Sequence, residues 1–117
     1  MLPRPLRLRK SRDFRQVYRQ GRSWAHPAAV LYTQRQPPPA KWFGVSASKK
    51  LGGAVQRNRI RRRLMAICRQ LEPRVSPGID LVFVARPAAL DMKPPELRAA
   101  VESLLRRAGA WTEPPPS

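Results

Sequence analysis

An arginine-rich segment in the middle of the chain constrains its fold most strongly. Arg57 to Arg63, "RNRIRRR", holds five arginines in seven positions and belongs to the longer stretch "KKLGGAVQRNRIRRRLMAICRQL". Apolar residues recur in that stretch at the spacing of one face of an α-helix: Ile60, Leu64, Ile67, Cys68 and Leu71. The pattern therefore predicts a helix that buries this stripe and holds its arginines away from the core.

These arginines have no acidic residues near them in the sequence. No Asp or Glu occurs between Asp13 and Glu72, whereas a solvated helix face normally pairs acidic and basic residues at i, i+4. The 117-residue chain has 24 Lys and Arg against 7 Asp and Glu, a formal charge of +17. Such a charge favours a polyanionic partner, and guanidinium groups bind phosphate bidentately. A solvated face is the alternative, but the pattern favours a surface that binds nucleic acid.

The rest of the chain shows further helix and strand patterns. One helix is predicted over "SRDFRQVYRQG" and another from Pro94 to Ala108, with Gly21 and Gly109 at their ends. Strands are predicted over residues 28–35, 41–48 and 78–86. The short connection between the first two predicts antiparallel neighbours, and the third, apolar on both faces, is predicted to be central.

The order α-β-β-α-β-α predicts an α+β sandwich in which helices pack against a small mixed sheet. The length suits one domain, which we place at residues 1–109 and interpret as RNA-binding. Residues 110–117, ending in "EPPPS", are predicted to form a flexible, proline-rich tail.

Residues suited to catalysis are scarce in this sequence. The chain has one His and one Cys, and its most basic region has no clustered carboxylates to hold metal ions. We therefore predict no catalytic residue and no metal site in the protein. No apolar run approaches the ~18 residues of a membrane span, so no membrane association is predicted. The lone Cys68 gives no disulfide framework, which favours a cytoplasmic location.

The stretch "VSASKKLGGAVQRNRIRRRL" closely resembles the characteristic motif of the protein subunit of bacterial ribonuclease P. "RDFRQVYRQG" is similar to the first helix of that family, "VLYT" to its first strand and "DLVFVAR" to its third. The resemblance covers residues 6–108. The matching motif residues are Ser48, Lys49, Lys50, Gly52, Ala54, Val55, Arg57, Asn58, Arg59, Arg61 and Arg62.

The resemblance implies a fold and a function. The fold would be the family's α+β sandwich, similar to a ribosomal-protein domain, with a left-handed β-α-β crossover through the arginine-rich helix. The partner would be the ribonuclease P RNA, which hydrolyses precursor tRNA to release its 5′ leader. The protein would assist that RNA and be inactive alone. The ribonucleoprotein would need Mg²⁺, while the protein would bind no cofactor and require no other protein.

The resemblance also implies two groups of binding residues. The RNA subunit would be bound by Lys49, Lys50, Arg57, Asn58, Arg59, Arg61 and Arg62. The precursor-tRNA leader would lie in a cleft between the first helix and the sheet, lined by Phe14, Tyr18 and Tyr32. One departure occurs at Met65, where the family usually has an arginine, so one phosphate contact is missing or is supplied by Arg63 or Arg69.

Three alternatives remain open from the residues themselves. The helical spacing of Phe14, Val17 and Tyr18 also fits ordinary core packing. A small, basic α+β chain also fits a ribosomal protein with a structural role. A helix-turn-helix DNA-binding protein is disfavoured, because a strand rather than a helix is predicted immediately before the basic helix.

Overall fold

The computed structural model of the protein describes residues 11–38 and 41–112. The described chain contains three α-helices and four strands, which agree with the predicted elements except for one additional strand. In chain order they are α1 (Ser11–Gln20), β1 (Arg22–Ala25), β2 (Ala29–Arg35), β3 (Lys41–Ser46), α2 (Ala54–Leu71), β4 (Ile79–Ala85) and α3 (Pro94–Arg107). Short 3-10 helices cover Lys49–Leu51, Glu72–Arg74 and Pro87–Asp91. The additional strand is β1, which the sequence does not predict because its four side chains are mostly exposed and show little apolar alternation.

The four strands form one mixed sheet in the order β1-β2-β4-β3. β4 pairs antiparallel with β2 and parallel with β3. The prediction that the first two long strands are neighbours is therefore wrong, because β4 lies between them. The reason is burial, since β4 is apolar on both faces and nearly all of it is buried in the central position. The β3–α2–β4 connection is a parallel crossover, whose left-handedness stays a prediction.

Helices cover both faces of this sheet. α2 and α3 pack on the face that presents Leu31, Phe43 and Phe83, each at most 1% exposed, and this side holds the main hydrophobic core. α1 packs against β2 and β4 on the opposite face, where Val17 and Val82 are buried. Tyr32 is opposite Val82 in the β2–β4 register and therefore lies on the α1 face.

Glycines fix the points where two of these helices meet the rest of the fold. A Cβ atom on Gly21 would lie 2.0 Å from the carbonyl oxygen of Thr33, so only glycine allows the end of α1 to approach β2 this closely. Gly52, which ends the 3-10 helix two residues before α2 begins, has a φ of 127°, a conformation that favours glycine. Together they set where α1 and α2 stand relative to the sheet.

The predicted apolar stripe of α2 is confirmed. All five of its residues are buried, the most exposed being Ile67 at 6%, and they belong to the main core. Met65 is half-buried against the same core, so it does not stand on the outer face of the helix. The burial of this stripe fixes which side of α2 faces solvent, and that side carries most of the arginines.

The packed part of the chain extends beyond the boundary predicted at residue 109. Ala110 is fully buried, and Trp111 forms an isolated β-bridge with Val75. The guanidinium group of Arg106 lies 4.8 Å from the centre of the Trp111 ring, within cation–π distance. These contacts bury apolar surface that a loose tail would leave in water, so the predicted tail starts too early. Residues 113–117 lie outside the described residues, as do residues 1–10 of the predicted domain.

The thiol of Cys68 is expected to be chemically inert in the folded protein. It is 1% exposed, and burial raises its pKa to about 12. A protonated, inaccessible thiol is a poor nucleophile, so iodoacetamide at about pH 8 should modify the protein only after urea unfolds it. Mass spectrometry measures the adduct, and equal modification rates in folded and unfolded protein would contradict this burial.

The same burial predicts a pH dependence. Because the folded pKa of Cys68 lies above the ordinary value of 9.0, the folded state holds its proton more tightly than the unfolded state. The stability contributed by the protonated thiol is therefore fully present below pH 9 and is lost as the pH rises towards about 12.

Candidate RNA interface

The seven residues predicted to bind the RNA subunit, six basic residues and Asn58, lie together on the first half of α2 and the 3-10 helix before it. Six of the seven have exposed side chains: Lys49, Lys50, Asn58, Arg59, Arg61 and Arg62. The two lysines stand on the 3-10 helix that precedes α2, which Leu51 anchors in the core. Arg57 differs from the others, because it is half-buried and its Nε atom is buried without a hydrogen-bond partner. The structure thus brings the predicted set into one surface, with Arg57 at its inner margin.

This surface has little negative charge to offset it. Among the described residues, no ion pair within 4 Å involves an arginine of α2. The first turn of α2 contains no acidic residue, and its N-cap, Gly53, offers no side chain to its free N–H groups. Arg61 donates a hydrogen bond through Nη2 to Oδ1 of Asn58, one turn earlier on the helix. The positive end of the helix dipole therefore adds to the arginines, and both favour an anionic partner.

The three aromatic residues predicted to form a cleft are neighbours in the structure. The ring centres of Phe14 and Tyr18 are 6.5 Å apart along α1, and the Tyr18 and Tyr32 rings meet edge to face at 4.8 Å. Tyr18 is 37% exposed, in contrast to Val17 beside it, which is 1% exposed. The core interpretation is therefore wrong for Tyr18 and correct for Val17. Phe14 and Tyr32 are half-buried.

An open groove of about 370 Å³ lies between α1 and the end of β3. We call it the aromatic groove. Tyr32 lies behind Tyr18 and does not line it. The residues that line it are Phe14, Arg15, Tyr18, Val45, Ser46, Ala47 and Arg61.

The environment of Tyr18 keeps its phenol neutral. Burial raises the pKa of the Tyr18 phenol and nearby Tyr32 adds to the rise, while a hydrogen bond with the Ser46 side chain opposes it. A neutral ring beside the exposed guanidinium groups of Arg15 and Arg61 suits a ligand that combines flat bases with phosphates.

Arg15 and Ser46 are site residues that were not predicted from the sequence. Arg15 follows Phe14 directly, so the amphipathic pattern of α1 places it next to the aromatic face. Ser46 gave no comparable signal, because its position depends on the approach of α1 to the end of β3.

Two features are absent from the part of the chain that the structure describes. No three residues of the types His, Cys, Asp and Glu lie close enough together to hold a metal ion. None of the helices there is both long enough and apolar enough to cross a membrane.

Comparison with known proteins identifies the family. The profile of the family "Ribonuclease P" matches residues 2–109. This chain belongs to the ribonuclease P protein family. It is 50% identical over 105 residues to the ribonuclease P protein component of Symbiobacterium thermophilum, covering 88% of this chain and 90% of that protein. It is 41% identical over 109 residues to the one from Roseiflexus castenholzii, covering 92% and 89%.

Solved structures of ribonuclease P proteins share the fold. A mutant of the Staphylococcus aureus protein superimposes with a TM-score of 0.83 at 32% identity, covering 91% of this chain and 90% of that chain. The Thermotoga maritima protein gives a TM-score of 0.79 at 25% identity, covering 86% and 96%. The predicted family and α+β fold class are confirmed.

A ribonuclease P protein is the protein subunit of an endoribonuclease in which catalysis comes from the RNA subunit. It assists that RNA in processing the 5′ leader of tRNA, so the predicted RNA partner is also confirmed. The ribosomal-protein and helix-turn-helix alternatives are excluded.

Proposed function

We propose that the exposed face of α2, together with Lys49 and Lys50, binds the RNA subunit. The observation that carries this proposal is the row of arginines on α2 whose side chains point away from the core and form no ion pair among the described residues. Asn58 supports the same role, because its bond to Arg61 holds that guanidinium group in place. Unpaired guanidinium groups bind phosphate oxygens and release condensed counterions when they do so.

The aromatic groove, in this proposal, binds the 5′ leader of precursor tRNA. Tyr18 offers an exposed ring, Phe14 lies one helical turn away, and Tyr32 supports Tyr18 from the sheet. Aromatic rings stack on unpaired bases without requiring a sequence, which suits leaders that differ among precursors. Arg15 and Arg61 line the same groove and can hold the phosphates of the strand.

Two further points belong to the proposal. The Mg²⁺ that the ribonucleoprotein needs is held by RNA, since the described residues contain no group of side chains suited to a metal ion. The cytoplasm is the proposed compartment, supported by a chain whose one cysteine is a buried thiol.

The purified protein alone should not cleave precursor tRNA. The expected result is no leader removal in Mg²⁺ without the RNA subunit, and accurate removal once the RNA subunit is added. The physical reason is that a protein site cleaves RNA through metal-binding carboxylates, a pair of general acid and base residues such as two His, or a nucleophile with a paired base. The chain has one His and one Cys, and the described residues hold no group suited to a metal ion. Gel analysis of the cleaved 5′ end measures this, with RNA subunit alone as the control. Accurate cleavage by protein free of RNA would contradict it.

A further inference from the structure

A second groove lies on the other side of Arg61, between α2 and β3. It has a volume of about 430 Å³ and is lined by Val45, Arg61, Arg62, Met65 and Ala66. We call it the α2–β3 groove. Its volume falls in the range of about 300 to 1,000 Å³ typical of small-molecule sites, which leaves room for one nucleobase.

The lining of this groove combines apolar and cationic side chains. Met65 and Val45 are half-buried and packed against the core, so they are held in place and offer apolar surface. Arg61 and Arg62 are exposed, and Arg61 is held by its hydrogen bond to Asn58, so phosphates can approach both guanidinium groups from solvent. A methionine thioether makes favourable contacts with aromatic rings, and an arginine plane stacks on bases. The arrangement suits an unstacked base with a phosphate on either side.

The α2–β3 groove continues the aromatic groove. Val45 and Arg61 line both cavities, and β3 is an edge strand, so no further strand separates the two. A single strand of RNA that lies on Tyr18 can therefore pass the end of β3 beneath Arg61 and reach Met65. The surface along this path carries arginines at both ends, Arg15 at one and Arg62 at the other.

We infer that the leader of precursor tRNA extends from the aromatic groove into the α2–β3 groove, where Met65 supports one unstacked base. This inference rests on the proposed binding of the leader beside Tyr18. It assigns the apolar part of the groove to the substrate and leaves the outer face of α2 to the RNA subunit. Arg61 lines both cavities at the edge of that outer face, and its guanidinium group has several N–H donors, so it would contact a leader phosphate between the two sites as well as the RNA subunit.

An abasic scan of the leader tests this path with the reconstituted ribonucleoprotein. Precursor tRNAs that lack a single leader base, at one position after another, are compared in single-turnover titrations. The wild-type protein should lose affinity at two separate sets of leader positions. At one set of positions, loss of the base should lower the affinity of the wild-type protein by about fivefold, and Met65→Ala should remove this difference. The truncation takes away about one kcal/mol of apolar contact with that base. Tyr18→Ala should remove the sensitivity at the other set.

Two variants serve as controls for folding. Met92→Ala truncates another half-buried methionine packed on the same core, outside both grooves, and should leave the scan unchanged. Ala66→Leu, at an exposed helix position, fills the groove without opening a cavity and should repeat the effect of Met65→Ala.

The possible outcomes separate the inference from the proposed function. If Tyr18→Ala removes one set of sensitive positions while Met65→Ala and Ala66→Leu alter none, the inference is wrong and the proposed function stands. If both Met65→Ala and Ala66→Leu lower the affinity for the RNA subunit when no substrate is present, the groove binds that RNA and the inference is again wrong. If Tyr18→Ala leaves every position unchanged, the proposed leader site fails as well.

Discussion

Replacing Arg59, Arg61 and Arg62 together with Ala should lower the affinity for the RNA subunit by about 1,000-fold or more near physiological salt, since each charge-assisted bond contributes roughly 1.5 to 3 kcal/mol. All three side chains are exposed on α2, so their loss opens no cavity and the melting temperature should stay nearly constant. Each neutralised phosphate also releases counterion. The slope of log affinity against log salt should therefore fall by about one unit per lost contact, or about three in total.

A charge-preserving variant separates the geometry of these contacts from their charge. Arg59, Arg61 and Arg62 changed to Lys keep the positive charges, so the salt slope should stay near that of the wild type. The affinity should still fall, because an ammonium group cannot bind phosphate bidentately. Arg98→Ala is the control outside this surface, since Arg98 is an exposed arginine of α3 that donates a hydrogen bond to Gln70. Unchanged affinity and slope in the triple Ala variant would place α2 away from the RNA.

The periodic parts of the fold could be predicted from the sequence. A stripe such as Ile60 to Leu71 has only one way to be buried, so the length and orientation of α2 follow from its spacing. The central position of β4 also followed from its two apolar faces, but the strands on either side of it could not be predicted in the same way. Whether β4 pairs between β2 and β3 depends on which strand would expose the most apolar surface at the edge of the sheet. Packing across the whole domain decides this. Trp111 shows the same limit, because its packing depends on Val75, which lies far away in the chain.

The candidate interface also has one part that the sequence predicts and one part that it does not. Most of the basic residues lie on α2, where the helical spacing alone places Asn58 and Arg62 opposite the apolar stripe and Arg59 on its flank. The aromatic groove joins α1 to the end of β3, and here the residues alone favoured core packing for Phe14 and Tyr18. Only the resemblance to the family selected the cleft. The exposure of Tyr18 next to buried Val17, and the bond to Ser46, come from the way α1 crosses the sheet.

Tyr18→Ala should selectively weaken the binding of precursor tRNA. The binding of mature tRNA and of the RNA subunit should stay nearly unaffected. Stacking on an aromatic ring contributes roughly 1 to 3 kcal/mol per base, so affinity for the precursor should fall by about 5- to 150-fold. Mature tRNA has no leader to contact the ring and should bind as before. Tyr32→Ala should act in the same direction, because Tyr32 meets the Tyr18 ring edge to face and helps to hold it. Binding of both tRNAs to the reconstituted ribonucleoprotein measures the difference.

The neighbouring residue on α1 provides the matched control. Val17→Ala should lower the free energy of unfolding by about 2 kcal/mol, because it empties part of a buried site, whereas Tyr18→Ala should change it much less. Tyr18→Phe keeps the ring and loses only the hydrogen bond with Ser46, so most of the precursor affinity should remain. If Tyr18→Ala weakens precursor and mature tRNA equally, or unfolds the protein as Val17→Ala does, the ring stabilises the fold and the leader binds elsewhere. A selective loss that Tyr18→Phe restores can only come from a ring in contact with the leader.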